Sequence, residues 1–239
     1  MGRDNNFKGM ITLITPTGGR PEAFKLCEKW IKNQTYKGDI QWIVIDDDPD
    51  NKLVATMGQE VYKAEKLWEP YVNTQRANMV QALKRVKGEV ILVIEDDDYY
   101  APNYIEVMYK LLETSEIAGI SNSRYYHMQV PGYKRMNNYA HASLCQTAIK
   151  KSMLSRMHRA VESGHFYFDI ELWKYCKEDG IPLSLLANSS VACGIKGMPG
   201  RAGLSGGHDK SWYTEDPDLK VLKGWLGKDA EEYRKFIKR

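Results

Sequence analysis

Two runs of carboxylates are the residues of this 239-residue chain best suited to chemistry: Glu95, Asp96, Asp97 and Asp98, and the triple Asp46, Asp47 and Asp48. Four adjacent carboxylates repel one another, and a divalent cation removes that repulsion. Mg²⁺ typically takes one or two carboxylates while substrate phosphates complete its shell. Acidic turns also occur at strand ends for conformational reasons alone, so a single run would be ambiguous. Two such runs, each closing a strand, point to one ligand crevice. A third candidate is Asp169, which follows His165, Phe166, Tyr167 and Phe168. Apolar surroundings raise a carboxyl pKa toward the range of a general base. An Asp at that place would equally cap a helix beginning at Ile170.

The elements around these residues can be read from their periodicity. Met10-Ile11-Thr12-Leu13-Ile14, Gln41-Trp42-Ile43-Val44-Ile45 and Glu89 onward to Ile94 are short β-rich runs, and the last two lead straight into the acidic runs. Pro21 opens a helix with Ala23, Phe24, Leu26, Cys27, Trp30 and Ile31 on one face; residues 73–87, capped by Asn73 or Thr74, form a second, and Pro102 begins a third. Residues 117–120 form a fourth strand. Alternating strands and helices, with near-continuously apolar strands, predict an α/β fold with a mainly parallel sheet covered on both faces. Residues 125–139, with Pro131-Gly132 at the centre, predict a hairpin. Residues 194–207 hold six of the chain's 19 glycines and predict a loop able to move.

The order ITLITPTGGRP, then WIVIDDD, then QRANMVQALKRVKGEVILVIEDDDYYAP resembles the nucleotide-sugar-binding half of glycosyltransferases with the A-type fold, close to the family-2-like group. The resemblance is clear over residues 8–120 and looser to about 210. It implies a single Rossmann-like domain. Residues 1–120 would bind the donor; residues 121–239, with an irregular acceptor side, would carry the catalytic base and end in a basic helix. By the same resemblance Thr15 and Pro16 line the nucleotide, and Asp46, Asp47 and Asp48 hydrogen-bond base and ribose. Arg76 and Asn78 lie beneath the donor, although the family has Ala-Arg-Asn where this chain has Arg-Ala-Asn. The Asp-x-Asp motif that holds Mn²⁺ or Mg²⁺ and the donor diphosphate falls in residues 95–98. Asp96 and Asp98 fit it directly, with Asp97 against the donor, whereas counting back from Pro102 favours Asp97 and Asp98.

Phe168-Asp169-Ile170-Glu171-Leu172 resembles the family's Glu-Asp-x-Glu-Leu segment, with Phe in place of its first Glu. The resemblance makes Asp169 the base of inverting transfer, taking the acceptor hydroxyl's proton as the oxygen attacks the anomeric carbon. His208, after the glycine-rich stretch, matches a late His that reaches the metal in many A-type enzymes, and imidazole suits Mn²⁺. It is otherwise a surface residue. Lys196 and Arg201 would close over the diphosphate, or belong to a solvated linker.

The charge is unevenly distributed. The chain carries +3 overall, yet residues 117–161 contain no Asp or Glu and total +7, and the last twenty residues total +4. The remainder is therefore −8. Arg124, Lys134 and Arg135, interleaved with Tyr125 and Tyr126, are expected to form an acceptor surface suited to a polyanion, with cations on phosphates and rings on bases. The alternative is that these cations pair with the acidic remainder or line the diphosphate site. The chain also resembles phage-encoded glycosyltransferases, some of which modify hydroxymethylated pyrimidines in DNA.

Composition sets the outer bounds. At 43% hydrophobic and 27% charged residues, disorder is excluded. The longest apolar run falls far short of the roughly 20 residues a bilayer requires. The polar start does not read as a secretory signal, and four scattered cysteines without a CxxC pair suit reduced thiols, so a cytoplasmic location is expected, in the host cytoplasm if phage-encoded. The reading is a metal-dependent, inverting transferase using a nucleotide sugar such as a UDP-hexose. A hydroxymethylated base in DNA leads as acceptor, with a glycan or small-molecule hydroxyl as the alternative. A nucleotidyltransferase or a non-catalytic nucleotide- or DNA-binding module are the other classes, and the oligomeric state is open.

Overall fold

The computed structural model describes residues 9–50, 53–67, 73–201 and 206–237. In chain order the strands and helices are β1 (Ile11–Thr17), α1 (Pro21–Lys32), β2 (Ile40–Asp46), β3 (Glu60–Lys63), α2 (Gln75–Leu83) and β4 (Val90–Val93). There follow β5 (Tyr99–Tyr100), α3 (Tyr104–Leu111), β6 (Ile117–Ser121), β7 (Arg124–His127), β8 (Gly132–Arg135), β9 (Thr147–Lys150) and α4 (Leu154–Glu162). The chain continues through α5 (Phe168–Glu178), β10 (Leu183–Ala187), β11 (Ala192–Lys196), β12 (Thr214–Glu215) and α6 (Lys220–Leu226), and α6 runs on into a 3₁₀ helix, Gly227–Phe236.

Seven strands form the main sheet in the order β10-β6-β9-β4-β1-β2-β3. All pairings are parallel except those of β9, which lies antiparallel between β4 and β6. The apolar runs of β1, β2 and β4 are buried on both faces, which is why they lack alternation. On one face Leu13, Val44 and Leu92 pack with Phe24 and Trp30 of α1, Ile105 and Met108 of α3, and Leu222 and Tyr233 of the C-terminal segment. On the other, Ile14, Ile43 and Ile91 pack with Met79 of α2, Met157 of α4 and Trp173 of α5. The C-terminal segment is tied to α1 by the Trp30 indole, which donates to the Tyr233 hydroxyl at 2.9 Å. Because β9 and β10 come from the second half of the chain, residues 1–120 and 121–239 share one sheet.

A smaller sheet, β12-β8-β7-β11-β5, stands over the C-terminal ends of the parallel strands. Its β7–β8 pair is the expected hairpin. Several expectations are corrected. The glycine-rich stretch begins as a buried strand, β11, and residues 202–205 lie outside the described residues. The second helix is shorter than residues 73–87, ending at Leu83. The basic C-terminus is mostly a 3₁₀ helix, and Lys238 and Arg239 lie outside the described residues. The edge strand β3, four residues with only partial burial, lacks the apolar signal by which the central strands were recognised. All four cysteines are free and buried, and no described helix is long and apolar enough to cross a membrane.

Candidate active site

The parallel strands β1, β2 and β4 end side by side, so the turns after them converge on one crevice. A cleft of about 500 Å³ opens there, lined at one end by Pro16, Arg20, Thr74, Asn78, Glu95, Asp97, Lys196, Arg201 and His208. Its other end is lined by Asn138, His141, Phe166, Tyr167, Asp169, Ile170 and Trp212.

Asp47 is the anchor of the triple. One of its carboxylate oxygens accepts from the Thr74 hydroxyl and, at 2.8 Å, from the Asn78 amide; the other pairs with the Arg201 guanidinium. Asp46 and Asp48 shape the turn, accepting the backbone N–H groups of Asp48 and Asp50, each at 3.0 Å. Gly18 permits the closeness of β1 and this turn, for a Cβ there would stand 2.0 Å from Asp47 Oδ1. Thr15 is fully buried and accepts the Trp42 indole N–H at 2.9 Å, leaving Pro16 as the residue of that pair facing the cleft.

In the second run two internal cations face four carboxylates. Arg20 pairs with Asp96 and, at 2.8 Å, with Asp97. The Lys196 ammonium, 4% exposed, lies 3.4 Å from Glu95, 3.6 Å from Asp97 and 3.4 Å from Asp98. Burial opposes the charge on Lys196, but Asp97, Asp98 and Glu95 outweigh it and hold the ammonium well above its usual range. Burial drives Asp98 up, with Lys196 offsetting only part of that rise. For Asp97 burial is overcome by Lys196 and Arg20, and its carboxyl sits below the usual range.

Four carboxylates against two cations leave a formal −2, the deficit that one divalent ion fills. Buried oxygens of Asp96 (Oδ1), Asp97 (Oδ1) and Asp98 (Oδ2) also lack a hydrogen-bond partner, which is costly unless a cation attends them. Ligand atoms of Glu95, Asp98 and Cys145 lie within 4.8 Å of one another. The residues therefore fit a metal. Asp96 is engaged by Arg20 and by the Thr17 hydroxyl at 2.5 Å, and Asp97 by Arg20 at 2.8 Å and Lys196 at 3.6 Å, so both registers of the motif carry protein cations as well as buried oxygens open to an ion. His208 reaches the same end of the cleft on the side of Asp97; burial and Lys196 hold its imidazole down at about 4, hence neutral.

Asp169 lies in the first turn of α5, whose N-cap is Tyr167, so the residue lines the cleft and is not the helix cap. Burial raises its pKa to about 6, against backbone N–H groups that favour the carboxylate. Arg76 does not line the cleft; its guanidinium donates to the His165 carbonyl and holds the aromatic loop before Asp169.

The acceptor-side expectations divide according to strand alternation in the β7–β8 hairpin. Tyr125 and its cross-strand partner Lys134 face the cleft side, where Lys134 lies 4.0 Å from the Trp212 ring centroid. Arg124 and Arg135 face the other way, over Trp225 of α6. Tyr126 is fully buried and donates to Asp216 at 3.2 Å, so its ring is not offered to a ligand. Lys150, Lys151 and Arg156 pair with Glu116, Glu89 and Asp179, away from the cleft. The +7 stretch thus does not converge on the cleft.

Sequence reasoning placed Glu95 in the acidic run and Thr74 at a helix start, but missed Arg20, Thr17 and Trp212 as site residues. Nothing in the spacing of Arg20 tells which strand-end it meets.

Comparison with protein families gives a match to glycosyl transferase family 2 over residues 12–170. The chain belongs to that family. As a family 2 member it shares its fold with solved glycosyltransferases, among them residues 1–349 of S. aureus TarS, at 14% identity and a TM-score of 0.56, covering 78% of this chain and 60% of that one. The same TarS fragment in complex with UDP-GlcNAc aligns at 14% identity and a TM-score of 0.53, over 81% and 59% of the two chains. The mannosyltransferase PcManGT from Pyrobaculum calidifontis, in complex with GDP-Man and Mn²⁺, aligns at 13% identity and a TM-score of 0.55, over 97% and 73%. This family 2 chain therefore spans about three-fifths of the TarS fragments. Comparison with curated protein sequences finds no match.

Proposed function

We propose that the protein is an inverting glycosyltransferase that moves a sugar from a nucleotide sugar, such as a UDP-hexose, to a hydroxyl acceptor. The observation that carries the reading is one cleft lined both by the carboxylate cluster and by Asp169, which burial raises to about 6. Asp47 with Thr74, Asn78 and Arg201 would receive the nucleoside. Glu95, Asp97 and Asp98, with His208 alongside, would hold Mn²⁺ or Mg²⁺. The ion supplies charge stabilisation to the departing diphosphate. Lys196 and Arg201 are close enough to the cluster to add cationic contacts to that group, and Asp169 takes the acceptor proton. The metal and nucleotide sugars in the PcManGT and TarS complexes support this reading.

Around Asp169 the cleft lining is mostly neutral, with exposed rings at Phe166 (44%) and Trp212 (53%). That lining favours a neutral saccharide or another small hydroxyl compound. A hydroxymethylated pyrimidine in DNA is the second reading, and Lys134 beside Trp212 is the observation in its favour, a cation and a stacking surface at the cleft edge. A nucleotidyltransferase would need a basic glycine-rich loop straight after the first strand, of which Thr17-Gly18-Gly19-Arg20 is a faint version; it is disfavoured because Arg20 is turned onto Asp96 and Asp97. The test incubates the protein with Mn²⁺ and a panel of nucleotide sugars, with saccharide acceptors, hydroxymethylated DNA or no acceptor. Released nucleotide and acceptor mass are measured. Nucleotide release that never yields a glycosylated product, and is unchanged in Asp169→Ala, would overturn the reading.

A further inference from the structure

The back of the β7–β8 hairpin holds a pair of cations that the cleft chemistry does not use. Arg124 and Arg135 are direct cross-strand partners, and like charges in that position destabilise a sheet. Among the described residues neither forms an ion pair. Arg135 donates to neutral groups, the Asn122 carbonyl at 3.3 Å and the Asn188 side-chain oxygen at 3.2 Å. The Nε–H of Arg124 is buried with no acceptor, a rare state for a guanidinium donor. Burial, and then the Arg135 charge, pull the Arg124 guanidinium below its usual range.

What holds the two together is Trp225. Their guanidinium carbons lie 5.2 and 5.8 Å from its ring centroid, and Tyr133 meets the same ring edge-on at 5.8 Å. Stacking on an indole satisfies the faces of guanidinium groups but leaves their in-plane N–H donors available. Both arginines and Trp225 are only partly buried, so the guanidinium groups are partly open to solvent while the Arg124 Nε–H itself is covered. Two planar forks with an unspent donor and no carboxylate are matched by a phosphoryl oxyanion, whose oxygens accept in-plane pairs from arginine.

We propose that Arg124 and Arg135, seated on Trp225, form a binding site for a phosphoryl oxyanion on the side of the hairpin away from the cleft. This site goes beyond the transfer reaction and does not depend on it. Its ligand is the phosphate group of a free anion or of an anionic surface.

The test follows the arginine Nε–Hε resonances during titration with inorganic phosphate. The expected result is a saturable shift of the Arg124 signal in the wild-type chain. The apparent Kd should rise at least tenfold in Arg135→Gln and remain unchanged in Arg201→Gln, which alters only the donor end. Unfolding in phosphate-free buffer checks the fold. Arg135→Gln should be no less stable there, since a like-charge pair is relieved, while the phosphate-dependent rise in Tm is lost. Sedimentation with phosphatidylglycerol vesicles separates the sources: retention that Arg135→Gln abolishes assigns a surface ligand, and phosphate binding without retention assigns a free one. An Arg124 resonance that does not respond to phosphate, or phosphate binding that survives in Arg135→Gln and is lost in Arg201→Gln, would overturn the proposal.

Discussion

The Lys196 ammonium lies 3.4 Å from the Asp98 carboxylate in the interior of the cluster, joined to it through β11, whose Ile195 N–H donates to the same Asp98 oxygen at 2.8 Å. A cation from near the end of the chain thus stands where the acidic turn after β4 most needs one. Removing one partner of a buried ion pair costs roughly 3–5 kcal/mol because the remaining charge is left uncompensated. Lys196→Met is expected to lower stability by about that amount in denaturant unfolding. Mn²⁺ should then raise its Tm more than it raises that of the wild type, since the ion replaces the lost charge. An equal response in both proteins would show that Lys196 and the metal do not share the cluster.

The proposed base, Asp169, can accept a proton only when ionised, and burial raises its pKa to about 6. Transfer should therefore be flat above that pH and fall about tenfold per unit below it, as the carboxylate takes up its proton. Asp169→Asn should lower kcat by about 10² to 10⁴ and abolish this acidic limb, while equilibrium binding of the nucleotide is unchanged. An acidic limb that persists in the variant would assign it to another group.

A Cβ on residue 18 would stand 2.0 Å from Asp47 Oδ1 and 3.0 Å from the Asp48 backbone nitrogen. Gly18→Ala must push Asp47 out of its contacts with Thr74, Asn78 and Arg201. The expected result is a nucleotide-sugar KM raised about tenfold or more, the equivalent of about 1.4 kcal/mol, in a folded protein. Unaltered donor KM would remove Asp47 from the binding site.

Tyr233→Phe leaves the Trp30 indole N–H buried without its acceptor. The expected loss of stability is about 1–3 kcal/mol in equilibrium unfolding, with the parameters of transfer unchanged, because the pair lies between α1 and the C-terminal segment and away from the cleft. A loss of activity equal to the loss of stability would indicate that this segment supports the site directly.

Much of the donor side was legible in the chain because its signals are local. Continuous apolar runs such as that of β4 need two covered faces, and the acidic residues after them fall at strand ends by their position in the sequence alone. The hairpin was announced by Pro131-Gly132. The charge pattern was misleading for a physical reason. Along a strand, successive side chains point to opposite faces, so Arg124 and Lys134, near one another in the hairpin, serve different surfaces. Other cations of the same stretch meet acids that are distant in sequence, as Arg156 meets Asp179.

The order of the strands and the acidic turns that end them determined the fold class and the donor chemistry, since both follow from residues adjacent in the chain. Only the tertiary structure decided which cations meet which carboxylates. That depends on Arg20 reaching across from the turn after β1 and on Lys196 arriving with β11, contacts that span 77 and 98 residues and have no local signature. The same long-range closure brings the C-terminal segment onto α1 and sets Arg124 beside Arg135 over Trp225. Packing can place charges from separate stretches together because the buried area gained elsewhere holds them there.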